Sequence, residues 1–408
     1  MGSTVNTMSE HDMHLLEPAP FGRILPAMVT PMKSDGSVDF AAAQKLAKYL
    51  VADGADGLVV NGTTGESPVT HMDEKVELVR AVKEVVDVPV ISGAGSNDTA
   101  HTVRMVEQTQ EAGADAVLVV MPYYSRPSQD GIVGHYKAVD ESAEKPIIVY
   151  DVPGRTGLKV KVETYDRLAE LEHVKAVKDA TGDLAAAVEK QQRTGLAWYS
   201  GDDGLFLPFL SIGAVGIISV IAHVASNPMQ QLVQAFDRGD ITTARRLANQ
   251  LAPLVHALNG DGYQAVMAKA ALKVKGVIPS TTMRLPNIGP DATQLDKAEE
   301  MSYRTVKAEP ENATYLDTYA WILFEKEKYT EARLYIEQAM KCGGDSSQVI
   351  VEHCGDIYFM LGDKEKALSY WKQADAMKST PEDGSTPRTE AELRRLKKKI
   401  ALKKYIAE

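Results

Sequence analysis

One lysine of this sequence stands inside a short run of otherwise mostly apolar residues. It is Lys178, in the segment VKAVKDA that begins at residue 174. Burial of a lysine disfavours its charged ammonium form and leaves a nucleophilic amine. Such an amine can attack a ketone and form an imine. A structural lysine paired with a carboxylate would fit the same pattern, so Lys178 is a candidate nucleophile that needs support from other residues.

Hydroxyl and phenol groups follow three other apolar runs. The turn GTTGES (62–67) offers two threonine hydroxyls and adjacent backbone N–H groups that can hold a carboxylate, although an ordinary turn has the same composition. Tyr150 lies near the end of the run PIIVYDVP and precedes the turn PGRTG (153–157). The segment PYYSRP (122–127) ends another run. If the runs are parallel strands of one barrel, these groups lie at the same end of it.

The runs themselves predict an α/β fold with a parallel sheet. From residue 21 to about 290 they alternate with amphipathic helical patterns, and each unit has the length of one βα repeat. We predict a (β/α)8 TIM barrel as the catalytic domain at 21–225, followed by extra C-terminal helices at 226–300. A doubly wound open sheet is the alternative, but no Gly-x-Gly-x-x-Gly turn follows the first run. The eight runs are ILPAMVTP from 24, GLVVNG from 57, PVISGAG from 89, AVLVVMP from 116, PIIVYDVP from 146, VKAVKDA from 174, AWYSGDD from 197 and GIISVIA from 216.

The chain changes character near residue 300, where a helical repeat begins. Aligning this part with itself gives an offset of 35 residues, which is typical of helix–turn–helix repeats. It resembles tetratricopeptide-repeat (TPR) proteins over 301–376, and 377–408 is predicted to be a loop and a capping helix. The concave face of such a repeat can bind a peptide partner. The matched pairs are Ala320 with Gly355, Ala332 with Ala367, Ile336 with Trp371, and Ala339 with Ala374.

Residues 21–300 resemble the dihydrodipicolinate synthase / N-acetylneuraminate lyase family. The resemblance is carried by GTTGES (62–67), MPYYSRPSQDG (121–131), YDVPGRTG (150–157), VKDATGDL (177–184), YSGDD (199–203) and GIISV (216–220). It implies that Lys178 forms a Schiff base with pyruvate and that Tyr150 is the acid/base group near the imine. It further implies that Thr64 relays protons between Tyr150 and Tyr124, the latter reaching in from a neighbouring subunit.

The resemblance also implies how substrates are held. Thr63 and Thr64 would bind the pyruvate carboxylate, and backbone groups of Gly201 and Ile218 would line the pocket. Arg155 favours aspartate semialdehyde as the second substrate, because a guanidinium binds a carboxylate bidentately. Sialic acid lyases lack this arginine and usually carry serine in place of Thr63. Neither a metal nor an organic cofactor is expected, since the covalent imine supplies the electron sink.

A regulatory pocket for lysine is known in many members of this family. Ser67, Asn97 and Tyr123 agree with it. His101 stands where regulated members have a glutamate for the ligand's amine, and Lys75 where histidine is common. A cation in place of a carboxylate repels an amine, so we expect weak sensitivity to lysine.

Composition and charge exclude several other classes. The formal net charge of −11 argues against nucleic acid as the main partner. We see no apolar run long enough to span a membrane and no signal peptide, so a cytoplasmic location is expected. Residues 1–20 are interpreted as a tag or a disordered N-terminus. The two cysteines, Cys342 and Cys354, match neither a disulfide framework nor a usual zinc pattern.

The join between the two parts has no glycine, proline or serine linker of its own. The helical pattern ATQLDKAEE continues directly into MSYRTVK, whereas natural domain boundaries are usually flexible. This favours an engineered fusion over a natural one. The family resemblance implies a homotetramer, from which the repeats would project at fixed angles. An alternative function is therefore structural, with the lyase as a scaffold that displays the TPR segment.

Overall fold

Eight parallel strands form one sheet in the computed structural model, which describes residues 19–260, 262–297, 300, 310–377 and 390–406. Each strand lies within one of the eight predicted runs, so these predictions are confirmed. The strands are shorter than the runs because the last residues of each run turn into the loop that follows. Their bounds are β1 Ile24–Pro26, β2 Leu58–Val60, β3 Val90–Gly93, β4 Ala116–Val120, β5 Ile147–Asp151, β6 Val174–Asp179, β7 Ala197–Ser200 and β8 Gly216–Ser219.

The sheet closes on itself, so the alternative of a doubly wound open sheet is wrong. The strand order is β1-β8-β7-β6-β5-β4-β3-β2, and every pairing is parallel. A parallel bridge between Ala27 and Val59 joins the two ends of this series. The backbone N–H of Met28 donates to the carbonyl of Val59 at 2.9 Å. This is a (β/α)8 TIM barrel, as predicted.

Helices follow the strands and cover the outside of the barrel. Two hydrophobic clusters result: one fills the barrel and includes Leu25, Leu118 and Tyr199, and the other lies under the helices and includes Tyr136 and Trp198. The strands are buried on both faces, which is why their sequences do not alternate. The helices are α1 Phe40–Ala52, α2 Met72–Lys83, α3 Thr99–Glu111, α4 Gln129–Asp140, α5 Pro153–Thr156, α6 Val162–Ala169, α7 Leu184–Thr194 and α8 Phe206–Ser211.

Further helices follow the barrel, as predicted. They are α9 Ala222–Asp237, which is interrupted at Ala225, α10 Ile241–Asn259 and α11 Gln264–Val274. No helix among the described residues is both long and apolar enough to cross a membrane.

The chain divides into two compact units near residue 261. The first contains the described residues up to Thr30 together with Val38–Gly260, and the second contains Pro31–Ser37 and the described residues after 261. Helix α11 thus groups with the helical repeat, and the predicted end of the lyase domain near residue 300 stays a prediction. The physical reason for this grouping is close packing: a Cβ added at Gly276 would lie 3.3 Å from the Trp321 ring.

Between residues 310 and 377 the structure describes two helical hairpins of the repeat. The first pair is α12 Ala313–Glu325 and α13 Tyr329–Lys341, and the second is α14 Gln348–Met360 and α15 Lys364–Ala376. Corresponding helices start 35 residues apart (348 − 313 and 364 − 329), the offset found in the sequence. A Cβ at Gly355 would lie 2.5 Å from Trp371, so only glycine fits where these helices approach. The predicted continuous helix across the join falls largely on residues 301–309, which lie outside the described residues.

The last helix, α16 Glu390–Leu402, buries a lysine among carboxylates. Lys399 Nζ lies 2.6 Å from Glu352 and 2.7 Å from Asp356, and all three residues are buried. Trp371 Nε1 also donates to Asp356 at 2.9 Å. Leu396 of the same helix is buried in the hydrophobic core of the repeat. Helix α16 therefore closes this core through both an apolar and an ionic contact.

Removing Lys399 should destabilise the repeat strongly. In Lys399→Ala two buried carboxylates lose their cation, which typically costs about 3–5 kcal/mol. Lys398 is exposed on the same helix, so Lys398→Ala is the control and should change stability by less than about 0.5 kcal/mol. Urea unfolding can be followed by fluorescence, because Trp321 and Trp371 both lie in this segment. Equal midpoints for the two variants would show that the buried ion cluster contributes nothing.

Candidate active site

Lys178 lies inside the barrel between two tyrosines of neighbouring strands. On β6 it is in register with Tyr150 of β5 and with Tyr199 of β7. Its side chain is buried, with only 7% of the residue exposed. The ammonium nitrogen lies 4.3 Å from the centroid of the Tyr150 ring. The structure thus brings together the two residues that we predicted to act at the same end of the barrel.

The surroundings of Lys178 favour its neutral amine. Burial lowers the pKa of Lys178 from 10.5 to about 8; the negative charge of Asp203 opposes this shift and the positive charge of Arg155 adds to it. With this pKa, roughly a tenth of the side chain is neutral at pH 7. The geometry therefore supplies a nucleophilic amine, which a structural lysine in a close ion pair would not be.

Tyr150 is placed to exchange protons next to that amine. Burial raises its pKa, while the charge of Arg155 and a hydrogen bond with the Thr63 side chain oppose the rise. The hydroxyl that contacts the phenol therefore belongs to Thr63. Thr64, which we predicted to be the relay, is the next residue of the same turn, and its role stays a prediction. Thr64 is itself buried in the same turn.

Gly201 and Ile218 lie near the same end of the neighbouring strands. Gly201 follows β7, and its N–H donates to the carbonyl of Asp179 at 2.7 Å. A Cβ at Gly201 would lie 3.0 Å from both that oxygen and the Cβ of Ala180, so a side chain does not fit there without a shift. Ile218 lies on β8 in register with Leu25 and is buried in the barrel cluster.

Sequence reasoning missed a buried carboxylate close to this group. Asp203 follows β7 and is hydrogen-bonded through both oxygens. Ser219 Oγ donates to one oxygen; the N–H groups of Val220 and Ile221, each at 3.1 Å, and Asn259 Nδ2 at 2.9 Å donate to the other. The signal was the second acid of YSGDD.

Two more carboxylates lie on the outer face of the strands, which the helices cover. Asp151 and Asp179 directly follow Tyr150 and Lys178 and are in register with each other. Side chains alternate across a strand, so this pair faces the helices instead of the barrel interior. Asp151 accepts from Tyr165 at 2.8 Å, and Asp179 accepts from the Trp198 indole at 3.0 Å. Burial raises the pKa of Asp151 to about 6.

Arg155 and Tyr124 lie outside this buried group. Arg155 is exposed on α5, although its charge acts on both Lys178 and Tyr150. Tyr124 is 89% exposed and has a φ of +71°, an unfavourable conformation for a residue with a Cβ. A side chain so exposed is not packed against Tyr150 of its own chain. The predicted proton relay is therefore not completed within one chain.

The residues of the predicted regulatory pocket lie in loops, at the start of the 3-10 helix Ser67–Val69 and on α3. Asn97 is exposed, and Ser67, His101 and Tyr123 are partly buried. Lys75 is buried, and its ammonium donates to the carbonyls of Ser67 at 2.8 Å and Thr70 at 2.6 Å. Within the described part of the chain, no cluster of three or more His, Cys, Asp or Glu side chains could hold a metal ion.

Comparison with known proteins shows which family this chain belongs to. The model of the dihydrodipicolinate synthetase family matches residues 20–303. The chain belongs to this family. The 4-hydroxy-tetrahydrodipicolinate synthase of Bifidobacterium longum strain DJO10A is 99% identical to it over 293 residues, which are 72% of this chain and 97% of that protein. The enzyme of the same name from Bifidobacterium animalis subsp. lactis is 75% identical over 289 residues, 71% of this chain and 95% of that protein.

A solved structure of the family has the same barrel. Dihydrodipicolinate synthase DapA-2 of Bacillus anthracis is 41% identical, with a TM-score of 0.66, and the match covers 69% of this chain and 97% of that one. The family assignment therefore extends over nearly the whole length of these relatives. It leaves the repeat and α16 outside the matched region.

Proposed function

We propose that residues 21–300 have 4-hydroxy-tetrahydrodipicolinate synthase activity, a lyase reaction that joins pyruvate to aspartate 4-semialdehyde. The observation that carries this proposal is the buried amine of Lys178, held 4.3 Å from the Tyr150 ring inside the barrel. The relatives named above catalyse the reaction under that name and match this chain over 95–97% of their own length. The barrel without its appended segment therefore corresponds to an entire enzyme.

The reaction begins with attack of the neutral Lys178 amine on the keto carbon of pyruvate. The resulting carbinolamine loses its hydroxyl as water and becomes a protonated imine, which withdraws electrons from the neighbouring methyl group. Loss of a methyl proton gives the enamine. The enamine carbon then bonds to the aldehyde carbon of the second substrate, whose oxygen takes up a proton. Attack of the product's own amino group on the imine carbon closes the ring and releases the Lys178 amine.

The proton transfers are assigned to hydroxyl groups near the imine. Tyr150 is the acid/base group, and its contact with Thr63 makes Thr63 the relay residue. The hydroxyls of Thr63 and Thr64 hold the pyruvate carboxylate. Backbone groups of Gly201 and Ile218 complete the pocket. No separate cofactor is required by these steps.

Arg155 is the proposed clamp for the carboxylate of aspartate semialdehyde. It is exposed, so a substrate can reach it, and its charge acts on both Lys178 and Tyr150. A sugar aldehyde has no carboxylate at the corresponding position, which disfavours the alternative of an N-acetylneuraminate lyase. The choice of aldehyde therefore depends on this guanidinium.

Arg155→Ala should impair the use of the aldehyde and spare pyruvate. Loss of a charged hydrogen-bonding group should raise the KM for aspartate semialdehyde by roughly 10- to 100-fold. The KM for pyruvate should change little. Lys159→Ala, which removes an exposed cation of the following loop, is the control. The wild-type chain should also use aspartate semialdehyde far faster than N-acetylmannosamine. A variant that lost pyruvate binding and kept its affinity for the aldehyde would contradict the clamp.

We also propose that the active unit is an oligomer, a homotetramer built from dimers. Tyr124 supports this because its ring is exposed while its backbone is held in an unfavourable conformation. A neighbouring chain that receives the ring would bury it next to Tyr150. Each dimer would then contain two sites, and each site would need residues of both chains.

Mixing two inactive variants tests the shared site. In a dimer of Lys178→Ala and Tyr124→Phe chains, one of the two sites has both residues intact. Random exchange of subunits should therefore restore about a quarter of the wild-type activity, because a twofold interface is isologous. Each variant incubated alone is the control. The shared site would be refuted if the mixture recovered no activity. It would also be refuted if the wild-type chain were fully active under conditions in which sedimentation velocity shows a monomer.

Regulation by lysine is expected to be weak. The proposed pocket of Ser67, Asn97, His101 and Tyr123 offers no acid at the position of His101. The ammonium of Lys75 already donates to two backbone carbonyls beside Ser67. At the position of His101 an incoming lysine amine would therefore meet an imidazole instead of a carboxylate.

The appended segment supports a second, structural function. The lyase region alone covers 97% of the Bifidobacterium longum enzyme, so the repeat is additional to that protein. We infer an engineered fusion in which the lyase also serves as a scaffold that displays a TPR-like segment. That segment is proposed to span 301–376, with 377–408 as its loop and cap, and to bind a peptide on its concave face.

A further inference from the structure

The hydroxyl of Thr30 connects the end of β1 to the turn GTTGES (62–67). It donates to the carbonyl of Gly65 at 2.7 Å, and Thr30 is buried, with only 1% of the residue exposed. Thr30 follows β1, and the turn follows β2. The bond therefore joins two neighbouring loops at the end of the barrel where Lys178 and Tyr150 lie. None of the steps proposed above uses Thr30.

The two strands that precede these loops share little pairing. Over the residues that the structure describes, β1 meets β2 at an isolated parallel bridge between Ala27 and Val59. With β8, on its other side, β1 pairs over three residues, Ile24–Pro26. The bond from Thr30 to Gly65 continues the short contact between β1 and β2 beyond the ends of the strands. It thus holds together a part of the barrel that has little strand pairing of its own.

The backbone of Gly65 lies directly against the end of β1. A Cβ added at Gly65 would lie 3.0 Å from the carbonyl oxygen of Met28 and 3.2 Å from Thr30 Oγ1. Both distances are shorter than ordinary van der Waals contacts of a methyl group, so glycine is what allows this close approach. The turn is therefore in contact with β1, and the hydroxyl of Thr30 fixes their relative position.

The same hydroxyl fixes the direction of one peptide unit of the turn. This unit joins Gly65 to Glu66 and is planar, so its carbonyl and its N–H point in opposite directions. Thr30 binds the carbonyl, and the N–H of Glu66 donates to the carbonyl of Thr63 at 3.0 Å. Glu66 has a φ of +59°, an unfavourable conformation for a residue with a Cβ. The shape of the turn therefore depends on these two bonds and not on the preference of its own backbone.

Thr30 is itself held in place through a buried histidine. The N–H of Val29 donates to Nε2 of His223 at 3.0 Å, and Nδ1–H of the same ring donates to the carbonyl of Val220 at 2.7 Å. Burial lowers the pKa of His223 to about 4, so the ring is neutral at pH 7 and Nε2 remains an acceptor. The residue before Thr30 is thus tied to the end of β8, and the hydroxyl reaches the turn from a fixed backbone.

The turn carries the groups that hold pyruvate in the proposed reaction. These are the hydroxyls of Thr63 and Thr64, and Thr63 also contacts Tyr150. Groups that bind a substrate must lie within about 0.5 Å of their productive position. We propose that Thr30 is a positioning residue whose hydroxyl holds the turn where Thr63 and Thr64 can bind the carboxylate of pyruvate. It acts through Gly65, and this inference rests on the proposed function and deepens it.

The test compares Thr30→Val with Thr30→Ser in the full chain. Valine keeps the shape of threonine without the hydroxyl, whereas serine keeps the hydroxyl. Thr109→Val is the matched control, because Thr109 is also buried and its hydroxyl donates to the carbonyl of Met105 at 2.7 Å within the outer helix α3. In Thr30→Val the KM for pyruvate should rise about tenfold or more, since a small misplacement of binding groups costs at least this much. Thr30→Ser should stay near the wild type.

A loss of stability alone would give a different pattern. Thr30→Val and Thr109→Val each deprive a buried carbonyl of its side-chain donor, so both should lower the melting temperature. Well below that temperature, only Thr30→Val should change the KM for pyruvate. The KM for aspartate semialdehyde should change little in either variant, because the proposed clamp for that substrate is Arg155.

Each outcome decides the matter. An unchanged KM for pyruvate in Thr30→Val would overturn the positioning role, and so would an equal rise in Thr109→Val or no recovery in Thr30→Ser. Should Thr30→Val fail to fold, Gly65→Ala replaces it, because its methyl group pushes the turn away from β1 and leaves the hydroxyl in place. The KM for pyruvate should then rise, and an unchanged value would overturn the proposal. A wild-type chain that forms no imine with pyruvate would instead refute the proposed function.

Discussion

The desolvation of one amine is the constraint on which the rest of the site depends. Lys178 is neutral enough to react because the barrel removes it from water, and its pKa falls to about 8 for that reason. The same burial raises the pKa of Tyr150, which keeps the phenol protonated beside it. A closed parallel barrel provides this environment, since its strands are covered on both faces. The chemistry therefore begins with the packing of the fold.

Strand geometry then separates two polar layers. Tyr150 and Lys178 are in register and face the interior, whereas the next residue on each strand, Asp151 or Asp179, faces the helices. The outer carboxylates accept from Tyr165 and from the indole of Trp198, and these bonds fix the strands whose inner faces carry the reactive groups. Rigid strands hold such groups more precisely than loops do.

Much of this arrangement could be predicted from the sequence, because regular structure leaves a periodic pattern. Continuous apolar runs indicated all eight strands, and the 35-residue offset indicated the two hairpins. Contacts between individual side chains leave no periodic pattern in the sequence and could not be predicted in this way. Which hydroxyl of the turn contacts Tyr150 depends on local backbone geometry, and in the structure it is that of Thr63, the neighbour of the predicted relay Thr64. Asp203 was missed because its partners are far apart in sequence.

The central claim is that Lys178 forms an imine with pyruvate. Incubation of the intact chain with pyruvate and borohydride, followed by peptide mass spectrometry, tests it most directly. Reduction should fix one pyruvate per chain on Lys178, and the Lys178→Arg variant should incorporate none. Lys175 lies exposed on the same strand and is the natural internal comparison. An adduct on Lys175, or one that persists in Lys178→Arg, would contradict the account.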